Sequence, residues 1–237
     1  MLHHNMTATQ ARIFAIANPK GGSTKTTSAF TTAWVLGQNG RTLLIDADPQ
    51  GDSRSWHAAL APEVDEDADH PAPFRMHTQT DHKALAAELR AFRTEYDYIV
   101  IDTQGSASAA VLAAIRAAND VIVPTAPAGT DIQNLPDALD FIYQINERQE
   151  ALDQPPVRLH VLLVRMDMRT NSARNIRENL RPIIADYVGV ELEELPESTP
   201  HVMTAEVGSR AEIMDSFGRV PATDFYKPVV DELLSIK

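Results

Sequence analysis

The residues with the clearest chemical capacity are Asn18-Pro19-Lys20-Gly21-Gly22-Ser23-Thr24-Lys25-Thr26-Thr27. Adjacent glycines let a backbone turn its N–H groups inward around an anion, and a helix starting at about Lys25 adds partial positive charge from its N-terminus. A lysine followed by a hydroxyl residue at such a turn suits phosphate. Lys25 would reach the β- and γ-phosphates of a nucleotide, and the Thr26 hydroxyl would ligate magnesium. The apolar run Arg12–Ala17 directly before it reads as a buried strand, which supplies the strand, turn and helix order that a phosphate loop needs. A plain Gly-Gly turn would not call for the Lys-Thr pair. Gly21, Gly22, Ser23, Thr24, Lys25, Thr26 and Thr27 are therefore the expected nucleotide-binding residues.

Two groups of carboxylates stand where they could support that site. The run Tyr98–Ile101 ends in Asp102, an apolar strand followed by Asp as a Walker B aspartate requires, with magnesium as its expected partner, directly or through water. The run Thr42–Ile45 ends in Asp46-Ala47-Asp48-Pro49-Gln50. Alone, Asp46 and Asp48 could be simple loop caps. Beside a phosphate loop they fall at the carboxyl edge of a parallel sheet, where ligands of such folds bind.

The elements that must position these groups alternate along the chain. Short apolar strands are expected at Arg12–Ala17, Thr42–Ile45, Tyr98–Ile101, Asp120–Val123 and Leu159–Val164, with a weaker one at Phe74–His77. Helical patterns cover Lys25–Gln38, Asp81–Thr94, Ser106–Ala118, Asp131–Glu147, Asn171–Ala185 and Ala222–Leu234. Continuous apolar strands interleaved with helices imply an α/β fold, a single-domain P-loop NTPase whose mostly parallel, twisted sheet is covered by helices on both faces. The expected division is a flexible segment over 1–10 and one domain over 11–237. Ala61–Pro73, with its acidic run and three prolines, reads as a surface excursion within that domain.

Bulk properties exclude several classes. The 237 residues are 43% apolar and 23% charged, a globular balance. With no cysteine, disulfides, thiolate metal sites and iron–sulfur clusters are impossible, which fits a reducing cytoplasm. Eight histidines are scattered without metal-site spacing, so zinc is not expected. Met1–Gln10 lacks the apolar core of a signal peptide, and no run approaches the ~18–20 apolar residues of a membrane span, so a soluble chain is expected. The formal net charge of −12 argues against a surface that is one nucleic-acid platform, though not against a local basic patch.

Lys-Gly-Gly-x-x-Lys-Thr-Thr with the extra Lys20, followed by Leu-Ile-Asp-x-Asp-Pro-Gln, resembles the deviant Walker A ATPases of the ParA/MinD class, and most closely the small ParA-type partition ATPases. The resemblance extends over about residues 11–237. Asp102-Thr103 lies at the Walker B position, and Pro124-Thr125-Ala126-Pro127 resembles the family's segment after the next strand. It implies ATP and Mg2+ as cofactors and a nucleotide-sandwich homodimer in which Lys20 crosses to the partner's ATP. It also implies that Asp48 helps place the attacking water and that Asp46 lies near the magnesium shell. Lys20, Lys25 and Asp48 become the expected catalytic residues, and Thr26, Asp46 and Asp102 the metal-associated ones. Arg165 and Met166, after the strand Leu159–Val164, and Pro200, in a segment resembling one near the base, are the expected adenine neighbours.

The chain departs from the family at Thr24, where glycine is usual and a Cβ could crowd the phosphates. It departs again at Asp102-Thr103-Gln104-Gly105-Ser106, where paired prolines are frequent. Intact ATP binding with slow, partner-stimulated hydrolysis is the expectation.

Arg174, Arg177 and Arg181 recur at i, i+3 and i+7 on an expected helix, and Arg210 and Arg219 could extend their patch. Two readings stand: a solvated helix face, or the non-specific DNA contact that the family makes through basic residues of its later half. The resemblance implies plasmid or chromosome partition with a centromere-binding, ParB-type adaptor, in a cytoplasmic and nucleoid-associated protein. A ParA-like ATPase positioning carboxysomes or chemoreceptor clusters is the alternative. A MinD-type membrane regulator would need a basic amphipathic helix, and Asp231–Lys237 is too short and acidic for one. A metabolic enzyme such as an amide-forming synthetase would not call for Lys20.

Overall fold

A computed structural model of the chain describes residues 10–20, 22, 24–60, 72–127, 129–165, 171, 175–188, 201–204 and 222–236. The apolar runs become β1 (Arg12–Ile16), β2 (Thr42–Asp46), β3 (Arg75–Thr78), β4 (Tyr98–Asp102), β5 (Asp120–Thr125), β6 (Arg158–Leu163) and β7 (His201–Thr204). They form one seven-stranded sheet in the order β3-β2-β4-β1-β5-β6-β7, with every neighbouring pair parallel. The described helices are α1 (Lys25–Gly37), α2 (Asp52–Leu60), α3 (His82–Glu95), α4 (Ala109–Ala117), α5 (Gly129–Gln133), α6 (Leu135–Glu150), α7 (Ile176–Val188) and α8 (Ala222–Ser235).

The period of two along each strand sends alternate residues into two separate cores. Ile13, Ala15, Ile99, Ile101, Val121 and Val123 pack beneath α3, α4, α6 and α7. Phe14, Ile16, Leu44, Val100 and Ile122 pack beneath α1, α2 and α8. Because both faces are covered, the strands read as unbroken apolar runs rather than as alternating ones. On the second face Phe30 is edge-on to Trp56 and Phe74, with ring centroids 5.8 and 5.2 Å away, so it belongs to the core, with Trp34 packed at its edge.

The structure differs from the sequence expectation at three places. The helix expected over Asp131–Glu147 is two helices, α5 and α6. Pro136 stands in the first turn of α6, where its missing N–H is tolerated but a continuous helix would lose a hydrogen bond. Helix α2 is not in the sequence expectation; it is nine residues long, and only Ser53 and Trp56 are buried along it. Strand β7 is also outside the sequence expectation; among the described residues it is a four-residue edge strand paired with β6. Most of the excursion expected at Ala61–Pro73, and residues 1–9 of the expected flexible segment, lie outside the described residues.

At the amino edge of the sheet, the buried carboxylate of Asp120 gathers three cationic or potentially cationic side chains. Arg12 Nε donates to it at 2.7 Å, Arg158 Nε at 2.8 Å, and His160 Nε2 lies at 2.8 Å. Arg12 also donates to the carbonyl of Ile236 at 3.0 Å, fastening the end of α8 to β1. Burial opposes the charge of Asp120, but hydrogen bonds from His160, Arg158 and Arg12 overcome it and hold the carboxyl well below its usual range. A carboxylate with a depressed folded-state pKa contributes stability above its unfolded value (~3.9) and loses it as pH falls through the folded value. Asp120→Ala leaves the two arginines uncompensated and is expected to cost about 3–5 kcal/mol in urea denaturation at neutral pH. A cost within experimental error of zero would show the cluster to be energetically idle.

Candidate functional site

Parallel register brings the site together. Asp46 of β2, Asp102 of β4 and Ile16 of β1 are direct neighbours across three adjacent strands. Asp102 therefore sits one strand, and Asp46 two strands, from the turn that follows β1. They share a sheet face with Leu44, Val100 and Phe14, the face that α1 covers.

The turn after β1 is anchored from the opposite side by β5. Asn18 Nδ2 donates to the Pro124 carbonyl at 2.8 Å, and Asn18 Oδ1 accepts from the Lys20 N–H at 3.0 Å. Gly22 has φ +75°, a conformation open to glycine, and Thr24 has φ 62° and ψ 22° immediately before α1. The departure noted at Thr24 is thus a β-branched residue in left-handed backbone, which costs roughly 1–2 kcal/mol relative to a residue without Cβ. Gly21 and Ser23 lie outside the described residues.

The two lysines of the loop have different surroundings. Lys25 is only 7% exposed and donates from Nζ to the Lys20 carbonyl at 2.9 Å. Burial lowers its pKa, and the nearby charges of Asp102 and Asp48 work the other way. The Lys20 side chain is 33% exposed. Its ammonium pairs with the Asp131 carboxylate and donates to Thr130 Oγ1 at 3.2 Å, both on α5.

The carboxylates also differ. Asp46 is buried with each oxygen engaged by backbone: Oδ1 accepts from the Asp48 N–H at 3.1 Å and Oδ2 from the Arg54 N–H at 3.0 Å. Burial raises its pKa, with those two N–H groups opposing. Asp48 Oδ1 accepts from the Gln50 N–H at 2.9 Å, and the turn then passes through Gly51 at φ +70°. A Cβ on Gly51 would meet only the flexible end of the Arg54 side chain, so it is the backbone angle that calls for glycine. Asp102 is fully buried; its Oδ2 accepts from Ser53 Oγ at 2.6 Å, while Oδ1 has no hydrogen-bond partner. Burial pushes the Asp102 carboxyl up to about 7, with the Ser53 hydroxyl opposing the rise most, Asp46 and Asp48 adding to it, and the nearby Thr26 hydroxyl also opposing it.

These residues fit a magnesium ion held together with nucleotide phosphate. Magnesium takes one or two carboxylates plus phosphate oxygens and water rather than an all-protein cage. The buried, unpartnered Oδ1 of Asp102 is the oxygen available to it. Asp46 already spends one acceptor position of each oxygen on holding the 46–54 turn.

Among the adenine candidates, Arg165 follows β6 at the same sheet edge, exposed and at φ 55°. Met166 and Pro200 lie outside the described residues. Of the basic stripe, Arg177 and Arg181 occupy α7, each one position beyond the buried Ile176 and Leu180. Arg174, Arg210 and Arg219 lie outside the described residues. Spacing does not single out Ser53 or Asp131, and it gives no sign of the contact between Asn18, within the loop, and Pro124, because each of these partners is distant in sequence. No helix among the described residues is long and apolar enough to cross a membrane.

A phosphate loop between β1 and α1, with register-matched aspartates on β2 and β4, defines a P-loop nucleotide-binding protein. Residues 11–67 and 70–154 match the family described as the AAA domain. The chain is 32% identical over 183 residues to the maintenance of carboxysome distribution protein A of Gloeobacter kilaueensis, covering 75% of this chain and 76% of that relative. It is 27% identical to the chromosome partitioning protein ParA of Myxococcus xanthus, covering 86% and 84% of the two. An ATP complex of Cyanothece McdA superposes with a TM-score of 0.70 over 97% of this chain and 98% of that one, at 17% identity, and so shares the fold. The chain belongs to the ParA-type P-loop ATPases.

Because burial lifts the pKa of Asp102 in the folded state above its unfolded value, ionising it costs stability above about pH 7, and the cost fades as pH falls toward ~4. Asp102→Asn is therefore expected to raise the unfolding temperature of the nucleotide-free protein at about pH 8 and to raise it less at about pH 5. Calorimetry showing equal shifts at both would assign the effect to packing instead of charge.

Proposed function

We propose that the chain is an ATP-driven switch that hydrolyses ATP to ADP and phosphate, slowly and under stimulation by a partner protein. Lys25 and the loop N–H groups hold the β- and γ-phosphates. Thr26 and Asp102 hold the magnesium that ATP brings, Asp46 keeps the adjoining turn in place, and Asp48 orients the attacking water. When bound, the cation neutralises phosphate charge and steadies the leaving oxygens. Arg165, Met166 and Pro200 are the proposed residues for the adenine base.

The observation that carries this reading is the contrast between the two lysines. The burial of Lys25 suits a lysine that serves the chain's own nucleotide. The partial exposure of Lys20, beside α5, suits one that reaches a second copy's nucleotide once it leaves Asp131. A cation supplied in trans makes dimerisation depend on the γ-phosphate, as an arginine finger does, and hydrolysis then weakens the sandwich.

The dimer binds DNA non-specifically through Arg174, Arg177, Arg181, Arg210 and Arg219 and segregates a plasmid or chromosome with a ParB-type adaptor, on the nucleoid in the cytoplasm. Similarity to a ParA partitioning protein supports that cargo. Similarity to a carboxysome distribution protein favours a second reading, in which the same switch positions a protein assembly.

Lys25→Ala is expected to abolish binding of a fluorescent ATP analogue. Lys20→Ala should keep that binding and lose ATP-dependent dimerisation in sedimentation velocity. A Lys20→Ala protein that still dimerises on ATP overturns the trans role. For DNA, the wild-type affinity should fall steeply with salt, and Arg174→Glu with Arg177→Glu should remove it. Unchanged DNA binding in that double variant leaves the stripe a solvated helix face.

A further inference from the structure

We propose that Ser53 is a positioning residue for the cation: it pins one oxygen of Asp102 so that the other is aimed at magnesium, and it ties the start of α2 to that site. The inference rests on the ATPase reading above and adds a residue to it.

Ser53 is the second residue of α2 and is fully buried. Serine hydroxyls near helix starts commonly bond the helix's own backbone or water. The Ser53 hydroxyl instead turns inward and donates to Asp102 Oδ2 across 49 residues of sequence, at 2.6 Å. Packing alone would favour alanine here, because a buried hydroxyl is tolerated only with a hydrogen-bond partner.

A carboxylate at the end of a strand can rotate about its terminal torsion, which is broad for aspartate. A short hydrogen bond to one oxygen sets the plane of the group, and with it the direction of the other. In Asp102 the pinned oxygen is Oδ2, and the oxygen without a hydrogen-bond partner is Oδ1. The next residue repeats the device: the Arg54 N–H donates to Asp46 Oδ2 at 3.0 Å. Two successive residues of one helical turn therefore tie to the two carboxylates that the β2–β4 register places side by side. Removing the Arg54 bond would need a backbone change, but the Ser53 bond can be deleted by a single side-chain substitution.

The role separates two parts of nucleotide binding. Phosphate contacts by Lys25 and the loop do not pass through Ser53, whereas the magnesium-linked part does. Partners that orient a metal ligand from behind change metal affinity by about 10–100-fold when removed.

The test uses the full chain and a fluorescent ADP analogue, titrated with Mg2+ and, separately, measured in EDTA. Ser53→Ala is expected to raise the half-saturating Mg2+ concentration by about tenfold and to leave affinity in EDTA unchanged. Ser53→Cys, which keeps the volume and weakens the donor, should give a similar rise even if the alanine variant folds poorly. Ser53→Thr, which keeps the hydroxyl, should restore the wild-type Mg2+ dependence. Wild-type Mg2+ dependence in both the Ala and Cys variants overturns the proposal, as does an equal loss of affinity with Mg2+ and in EDTA. If the wild-type chain binds the analogue with no response to Mg2+, the magnesium-ATPase reading falls first and this inference with it.

Discussion

The parallel register of β1, β4 and β2 is the constraint on which the site depends. Ile16, Asp102 and Asp46 lie opposite one another because their strands start in step and run the same way. A slip of one residue in any pairing would turn an aspartate to the other face, into the core beneath α3, α4 and α6. That register is held by apolar residues on both faces, so the packing that stabilises the sheet also places the chemistry. It also explains how a site can be assembled from residues as far apart as 16 and 102 without a dedicated scaffold.

The sheet treats buried charge differently at its two edges. At the amino edge Asp120 is surrounded by partners, its charge is stabilised, and the result is a clamp between β1, β5, β6 and the end of α8. At the carboxyl edge Asp102, Asp46 and Lys25 are buried with their charged forms disfavoured. Burial without full compensation is a cost that a purely structural core would avoid, and a bound cation and phosphates would relieve it. The left-handed Thr24 adds backbone strain at the same edge. Destabilising features thus gather where the ligand would bind, and the compensated ones gather at the far end.

Much of this was legible in the sequence for physical reasons. Strands buried on both faces leave unbroken apolar runs, and six of the seven strands were visible in this way. The phosphate loop was visible because its chemistry is carried by contiguous residues. What was not legible depends on contacts across the fold. Helix α2 is short, and part of its inward side is the polar Ser53, whose partner is on β4. The short strand β7, which among the described residues has a neighbour on one side only, leaves little pattern. Asn18 looks like a loop residue until Pro124 is placed beside it. Lys20 could be singled out by type and position, but its resting partner Asp131 lies 111 residues away.

Tyr226 on α8 is fully buried, and its hydroxyl lies 2.7 Å from Ser28 Oγ on α1, a contact spanning 198 residues. Its consequence concerns the order of events on the ribosome. The surface that covers Ala29, Phe30 and Ala33 of α1 includes Val229, Val230 and Leu233 of α8, which are made long after α1. At ~5–20 residues per second, roughly 10–40 s of synthesis separates Ser28 from Tyr226. Throughout that interval the helix beneath the phosphate loop lacks its cover. The nucleotide site is therefore begun well before α8 exists and completed only once α8 has been made.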